Sequence, residues 1–434
     1  MLAWARGAAA RGEPLEVPLL PGGEMIPQAD APPRKLLTFE FVGLCLVALL
    51  AVANATTYYN LFGHLASLGI APGLRGLVVG AYALTAMVLY LVASPFLSPR
   101  TGPRAQLAGI AILVVGGFGY LVARSFWSLL ALRAFCGAGQ FLMGAGAMAQ
   151  LVAFIPAERS GQAFGLYSVA ILVAYGVVPG AMDALAPHLP SAAHGYAAAT
   201  AALLPAAWIV LRIRARTRAR AGAPAAAPRP APRAHAWAGL RASLRQPSVA
   251  LLVLLNTAYF MNWSSLYFLY KGFAEQGRLG NVGGFFTVLT AVMIAIRLVA
   301  GRLFDRIAKA RLMVASFAVI ATAHLALRQL PAGTVPLVGA LFGLGLGAGY
   351  PALNGLMFDF SAPAARPLNA NLMSFAVQAG SFLGPSVGGL VVARHGYPGY
   401  FLAAAGLALA SSAASVVLAR RRFPAAAAAG NLGG

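Results

Sequence analysis

Two arginines stand inside apolar stretches of this 434-residue chain, Arg133 in LALRAFCGAGQ and Arg297 in VMIAIRLVAG. A guanidinium surrounded by hydrocarbon is costly and marks a place where something polar or anionic meets it. The ten carboxylates supply no obvious counterpart: Glu13, Glu16, Glu24, Asp30, Glu40, Glu158, Asp183, Glu275, Asp305 and Asp359 are absent from the middle of every apolar stretch. Any aqueous cavity near these arginines is therefore biased towards anions and against a carboxylate proton relay. The structural alternatives are an Arg133 pair with Asp183 or snorkelling, and an Arg297 pair with Asp359.

The neutral polar groups in the same stretches form a second set. Asn54, Thr57, Tyr58 and Asn60 fall in NATTYYN, and Asn256, Tyr259 and Asn262 in NTAYFMN, which repeats the asparagine spacing; Gln140, Asn354 and Gln378 stand alone. Such groups would be unsatisfied against lipid, so they face a cavity or another helix. Catalytic chemistry is not indicated. The six histidines are scattered over 64, 188, 194, 235, 324 and 395, with no Ser/His/Asp set or paired-His metal motif, and Cys45 and Cys136 both fall in apolar stretches. The sequence thus calls for no enzyme, cofactor or metal.

The elements that must carry these residues follow from composition. With 60% hydrophobic and 10% charged residues and a mean hydropathy of +0.76, the chain is a membrane protein. A bilayer leaves backbone groups no water, so its spans must be helices of roughly twenty residues. Breaks in the apolar pattern place them near 39–62, 76–97, 105–123, 126–153, 161–186 and 195–213, then 248–270, 280–300, 312–329, 334–360, 368–393 and 398–419.

Charge orients the twelve. With the N-terminus inside, inner segments and the span ends beside them hold 24 of the 32 Lys and Arg, the outer ones six and the span interiors two, so both termini are expected in the cytosol. The net charge of +22 is thereby explained without nucleic acid. Residues 1–38 read as a disordered tail without a signal peptide, Met25 being an alternative start, and 421–434 as a second tail. Between the bundles 39–213 and 248–420, a basic Pro/Ala-rich linker spans 214–247; there Trp237, Leu240 and Leu244 recur at helical spacing, which suits either a short surface helix or a disordered segment.

The halves repeat. Arg100 matches Arg306, Gly137 matches Gly343, Gly139 matches Gly345 and Pro179 matches Pro385 at an offset of 206, while Asn54 and Asn60 match Asn256 and Asn262 at 202. Repeats of this kind place a solute site at their interface near the bilayer midplane. The glycines at 137, 139, 144 and 146, and at 343, 345, 347 and 349, permit close helix packing.

Several motifs carry a family likeness. Gly301-Arg302-Leu-Phe-Asp305-Arg306-Ile-Ala-Lys309-Ala-Arg311 resembles the G-x-x-x-D-R-x-G-[RK]-x-R loop of the major facilitator superfamily, and Arg100-Thr-Gly102-Pro-Arg104 keeps part of it in the other half. LALRAFCGAGQ is similar to the family's Arg-and-Gly motif, and Gly380-Ser-Phe-Leu-Gly384-Pro385-Ser-Val-Gly388-Gly389 has the form of its G-x-x-x-G-P-x-x-G-G motif, here on the eleventh helix. The spacing of Arg297 and Gly301 resembles that of the substrate-binding arginine of monocarboxylate transporters.

The resemblance implies an all-α fold of two pseudo-symmetric six-helix bundles, acting as a secondary or facilitative transporter by alternating access. It implies a cavity drawn from Asn54, Tyr58, Asn60, Arg133, Gln140, Asn256, Tyr259, Asn262, Arg297, Asn354 and Gln378. It also implies a conformational latch of Gly301, Arg302, Asp305 and Arg306 with Arg100. The expected partners are the lipid bilayer and a small organic solute, with an anion suggested by the arginines and the coupling ion left open; a monomer in the cell (inner) membrane is expected. The competing readings are a drug or metabolite exporter of the proton-antiporter type, a non-transporting sensor and an intramembrane enzyme.

Overall fold

The computed structural model describes residues 36–93, 97, 100–155, 160–220, 233–277, 279, 282–299, 307–329, 334–362 and 365–420. The helices belong to one compact unit, Thr38–Gly434. They are α1 (Phe39–Ser67, with a 3-10 turn at Thr57–Asn60), α2 (Pro72–Val92), α3 (Gly102–Gly119), α4 (Phe126–Phe154), α5 (Ser160–Leu185) and α6 (192–220, with a 3-10 turn at Thr200–Ala202). After a linker helix α7 (Arg233–Arg245) come α8 (Pro247–Gln276), α9 (Val282–Val299), α10 (Lys309–Gln329) and α11 (Val335–Phe360). The last helical run, Arg366–Arg420, turns at Gly396 (φ 66, ψ −176), a conformation that favours glycine, and so comprises α12 (366–395) and α13 (397–420).

Among the described residues ten helices are long and apolar enough to cross a membrane, and Val282–Leu298 is a shorter apolar one. The last of the ten, 53 residues from Leu368 to Arg420, would measure roughly 80 Å unbroken, far more than a core of about 30 Å. Split at Gly396 it supplies two spans, and the expected twelve are present. Local chemistry sets their starts: Thr38 Oγ1 accepts from the Phe41 amide at 3.2 Å, Ser125 and Ser128 form a capping box on α4, and prolines occupy the first turns of α2, α3, α8 and α11.

Three elements outrun the hydropathic pattern. Helix α8 continues to Gln276, carrying Lys271 and Glu275 beyond the expected end at 270, and α1 continues to Ser67 just before Gly69 (φ 76). Helix α6 stays helical through the arginines to Arg220, seven residues into the segment read as linker. Lys, Arg and Glu end a hydrophobic run without ending a helix, because they are good helix formers. In the linker, α7 forms and lays Gly239 against Leu368 of α12. The tails at 1–35 and 421–434, linker residues 221–232 and the latch residues Gly301, Arg302, Asp305 and Arg306 lie outside the described residues. Arg100 is described and exposed.

The repeat is visible in the packing. Gly137 on α4 meets the Tyr82 carbonyl of α2, and Gly343 on α11 meets the Leu289 carbonyl of α9, each so closely that a Cβ would overlap the oxygen. The halves meet through α2 with α12 and through α9 with α5, two contacts that exchange under the repeat. The glycine-proline motif on α12 divides between them. Gly380, Gly384 and Gly388 face α8, while Pro385, Ser386 and Gly389 face Gly76 of α2.

Candidate functional site

Between the halves lies a cavity of about 650 Å³, lined by residues 47–52 of α1, Tyr90 of α2, residues 140–149 of α4, Tyr167 and Ile171 of α5, Tyr350 of α11, and Asn371, Ser374, Val377 and Gln378 of α12. These positions are in the parts of the helices nearer the chain termini, so the cavity reaches towards that end. Its lining combines aliphatic residues with tyrosines and two glutamines, and among the described residues it contains no Asp, Glu, Lys or Arg. Of the eleven residues expected there, Gln140 and Gln378 line it, and the Gln140 Oε1 has no protein partner.

The opposite end is closed by contacts across the halves. Tyr267 Oη donates to the Thr56 carbonyl at 3.0 Å, Thr287 Oγ1 to the Gly176 carbonyl at 2.7 Å and Ser386 Oγ to the Gly76 carbonyl at 3.3 Å. Lys271 Nζ of α8 lies 2.7 Å from Asp183 Oδ1 of α5 and donates to Tyr59 Oη of α1 at 2.9 Å, while the Tyr59 hydroxyl donates to the same carboxylate oxygen.

The described lining of the large cavity includes none of the repeated asparagines. Asn256 is fully buried and donates from Nδ2 to the Met373 carbonyl of α12 at 2.9 Å, so it faces a helix of its own half. Tyr259 donates to the Leu346 carbonyl of α11. Asn262 and Asn354 return their Nδ2 groups to the carbonyls of Ala258 and Tyr350 one turn back, both at 2.9 Å. Asn54 is buried with Nδ2 unpartnered, and Asn60 lines two smaller cavities at the closed end. Removing the Tyr259 hydroxyl with Tyr259→Phe is expected to lower stability by about 0.6 kcal/mol, the usual worth of such a bond within a membrane. Chemical denaturation in detergent would show the loss.

Neither arginine takes the carboxylate that the sequence offered it, because Asp183 is held by Lys271, and Asp359 by Lys309 at 2.7 Å. Arg133 is buried between two rings, its guanidinium carbon 4.5 Å from the Tyr82 centroid and 5.0 Å from that of Tyr58, with Nη2 donating to the Val79 carbonyl at 3.3 Å. Its Nε and Nη1 have no hydrogen-bond partner within bonding geometry among the described residues. Tyr58 in turn packs on Tyr120 and Tyr196, so cation–π attraction within an aromatic cluster replaces the ion pair. Arg297 is half-buried, 5.8 Å from the ring centroid of Tyr350, with Nε unpartnered. It therefore lies beside a residue of the cavity wall. His324 is wholly buried, edge-on to Phe342 at 4.8 Å.

Tyr90, Tyr167, Tyr350, Asn371 and Ser374 were not singled out by their sequence. Tyr350 carried one signal, since it precedes Asn354 by four residues and shares its helix face.

With this geometry in place, comparison with known proteins is informative. The chain matches the family model described as Major Facilitator Superfamily over residues 44–338, more than half its length. Curated proteins yield no match. Among solved structures, a POT family transporter in complex with a thioalcohol-conjugated peptide superposes with a TM-score of 0.69 at 11% identity, covering 88% of this chain and 95% of that one. At such identity the likeness is one of fold. Twelve spans, two equivalent halves with a cavity between them, and the family match together show that this chain is an integral membrane transporter belonging to the Major Facilitator Superfamily.

Proposed function

We propose that the chain carries a small organic anion across the cell membrane by alternating access between the halves 39–213 and 248–420. The observation that carries the reading is the cavity wall: no carboxylate is among its described residues, and the Arg297 guanidinium carbon lies 5.8 Å from the ring centroid of Tyr350, which lines it, with Nε unpartnered. An anion reaching past Tyr350 would supply the charge-assisted hydrogen bonds that the guanidinium lacks, while Val47, Ala51 and Ile171 would cover the solute's apolar body.

In this reading the cavity faces the cytosol, since the arginine-rich segments lie at the same end as the termini. Opening at the other end would part α2 from α12, and the loop residues Gly301, Arg302, Asp305 and Arg306 with Arg100 would then latch the cytosolic end. The aliphatic lining also suits a broader drug or metabolite exporter, which would accept neutral and cationic solutes.

Counterflow in proteoliposomes separates these readings. Vesicles loaded with unlabelled solute are expected to accumulate labelled small carboxylates and to ignore cations of equal size. Exchange of neutral and cationic solutes alone would favour the exporter, and binding without exchange would favour a sensor.

A further inference from the structure

A second cavity, of about 530 Å³, lies at the closed end, within the size range of small-molecule sites. It forms where the ends of α1 and α3, the segment before α4 and the start of α6 come together. One residue of the other half, Glu275 of α8, completes its wall; every other described residue of the lining belongs to the first half. It shares no lining residue with the cavity between the halves that reaches towards the termini.

The wall carries charge of both signs. Arg124 and His194 are exposed, and the Glu275 side chain is 58% exposed. Arg124 and Glu275 border the same space, yet the ion-pair contact of Glu275 among the described residues is Lys271 at 4.0 Å, the outer limit of such a pair. His194 sets its Nδ1 against Ser191 Oγ at 2.9 Å, which leaves Nε2 as its other bonding atom. His64 is 8% exposed and edge-on to Tyr196, with ring centroids 5.6 Å apart. Its Nε2 has no hydrogen-bond partner among the described residues. A buried nitrogen left in that state is costly, and beside a cavity what enters can satisfy it.

This pattern selects among ligands. An anion is attracted by Arg124 and repelled by Glu275, and a cation meets the reverse. A molecule carrying both charges pairs with each. Its carboxylate takes the Arg124 fork and hydrogen bonds from imidazole N–H groups, while its ammonium takes Glu275 and the Asn60 amide oxygen.

We propose that this cavity is a binding site for a small zwitterion of amino-acid size, entered from the side opposite the termini, and that the bound molecule holds that end closed. The second part follows from Glu275. Parting the halves carries α8 away from the first-half wall, so both charges of the ligand are satisfied only in the closed arrangement. A ligand that binds one arrangement better stabilises it. The site thus regulates transport and is not that of the carried solute. This part rests on alternating access as proposed above, not on the charge of the carried solute.

The probes are alanine, glutamine and leucine, with propionate and ethylamine each keeping one charge of alanine. In a Cys45→Ala, Cys136→Ala background, Thr57→Cys places one thiol at a buried position of the neighbouring cavity of about 140 Å³. A membrane-impermeant maleimide then reports opening of that end in sealed vesicles. Gly76→Leu, which crowds α2 against α12, should speed labelling and is the positive control. A saturating amino acid on that side is expected to slow labelling of the order of tenfold, while propionate and ethylamine leave the rate unchanged. Arg124→Gln and Glu275→Gln should each raise the half-protecting concentration about tenfold, and Glu275→Asp should retain protection. His64→Phe keeps a ring against Tyr196 without its nitrogens and should weaken protection too.

The proposal is overturned if no amino acid slows labelling where the control speeds it, or if propionate or ethylamine protects as well as alanine. Unchanged half-protecting concentrations in both Arg124→Gln and Glu275→Gln overturn it equally. So does loss of protection in Gln378→Leu, in the cavity between the halves, with protection kept in Glu275→Gln, since the zwitterion then acts there. If the control itself fails, alternating access is at fault, and equilibrium binding of labelled alanine to the purified protein decides the site alone. Binding weakened by Glu275→Gln supports it, and no binding overturns it.

Discussion

Replacing Gly76 with leucine is expected to hold the molecule open at the end opposite its termini and to lower counterflow about 100-fold. Gly76 faces the Pro385 carbonyl and the Ser386 Cα of α12, and a Cβ there would overlap the carbonyl oxygen. Backbone cannot yield as a side-chain tip can, so α2 and α12 must separate. Overpacking of this kind costs about 3 kcal/mol at its upper end, which shifts a two-state equilibrium about 100-fold away from the closed arrangement. Gly73→Leu is the control, because one turn earlier on α2 a Cβ meets only a Leu390 methyl at 3.8 Å. Counterflow with labelled carboxylate, alongside maleimide access at Thr57→Cys, reads both effects. Parent-like exchange by Gly76→Leu would show that α2 and α12 do not need to close on one another during transport.

Arg297→Gln should raise the half-saturating concentration of a carboxylate solute about 30-fold or more. The estimate takes about 2 kcal/mol as the lower cost of truncating one member of a buried charge pair, and about 1.4 kcal/mol per tenfold change in affinity. Glutamine preserves a donor and much of the length but removes the charge, so neutral solutes that enter the cavity should be little affected. Arg297→Lys keeps the charge and loses the planar fork, and an intermediate value is expected. If Arg297→Gln leaves every anionic solute unchanged, the carboxylate-anchor reading of this arginine is wrong. A purely packing role against Tyr350, 5.8 Å away, would instead lower stability and spare the selectivity between charged and neutral solutes.

The errors in reading this site from sequence share a cause. Lys271 was assigned to a loop because hydropathy falls there, yet the helix runs on to Gln276 and brings that ammonium to Asp183. The sequence also offers Asp183 to Arg133 as one structural alternative, yet the structure surrounds that arginine with tyrosine rings. The same applies to Asp359, which meets Lys309 of α10 rather than Arg297. Partner choice among charges depends on which helix ends are adjacent and how far each helix continues, and neither follows from local hydropathy. The matched asparagines teach a related lesson. Their spacing correctly revealed a repeat, but Asn256 points its amide to Met373 within its own half, a direction that spacing along one helix does not set.

What the amino-acid order determined by itself was the solvent and the architecture. Apolar runs of span length, positive charge gathered at one end and glycines repeated at an offset of 206 report on the bilayer and on backbone packing, both of which act residue by residue. Only the tertiary structure decided which polar groups share a space. The cavity draws Gln140, Tyr350 and Gln378 from three helices, and the closing cluster draws Tyr59, Asp183 and Lys271 from three others. Such constellations arise from helix rotation, crossing and length together, through contacts such as those of the closing cluster between residues 88 to 212 positions apart, and no single stretch of sequence contains them.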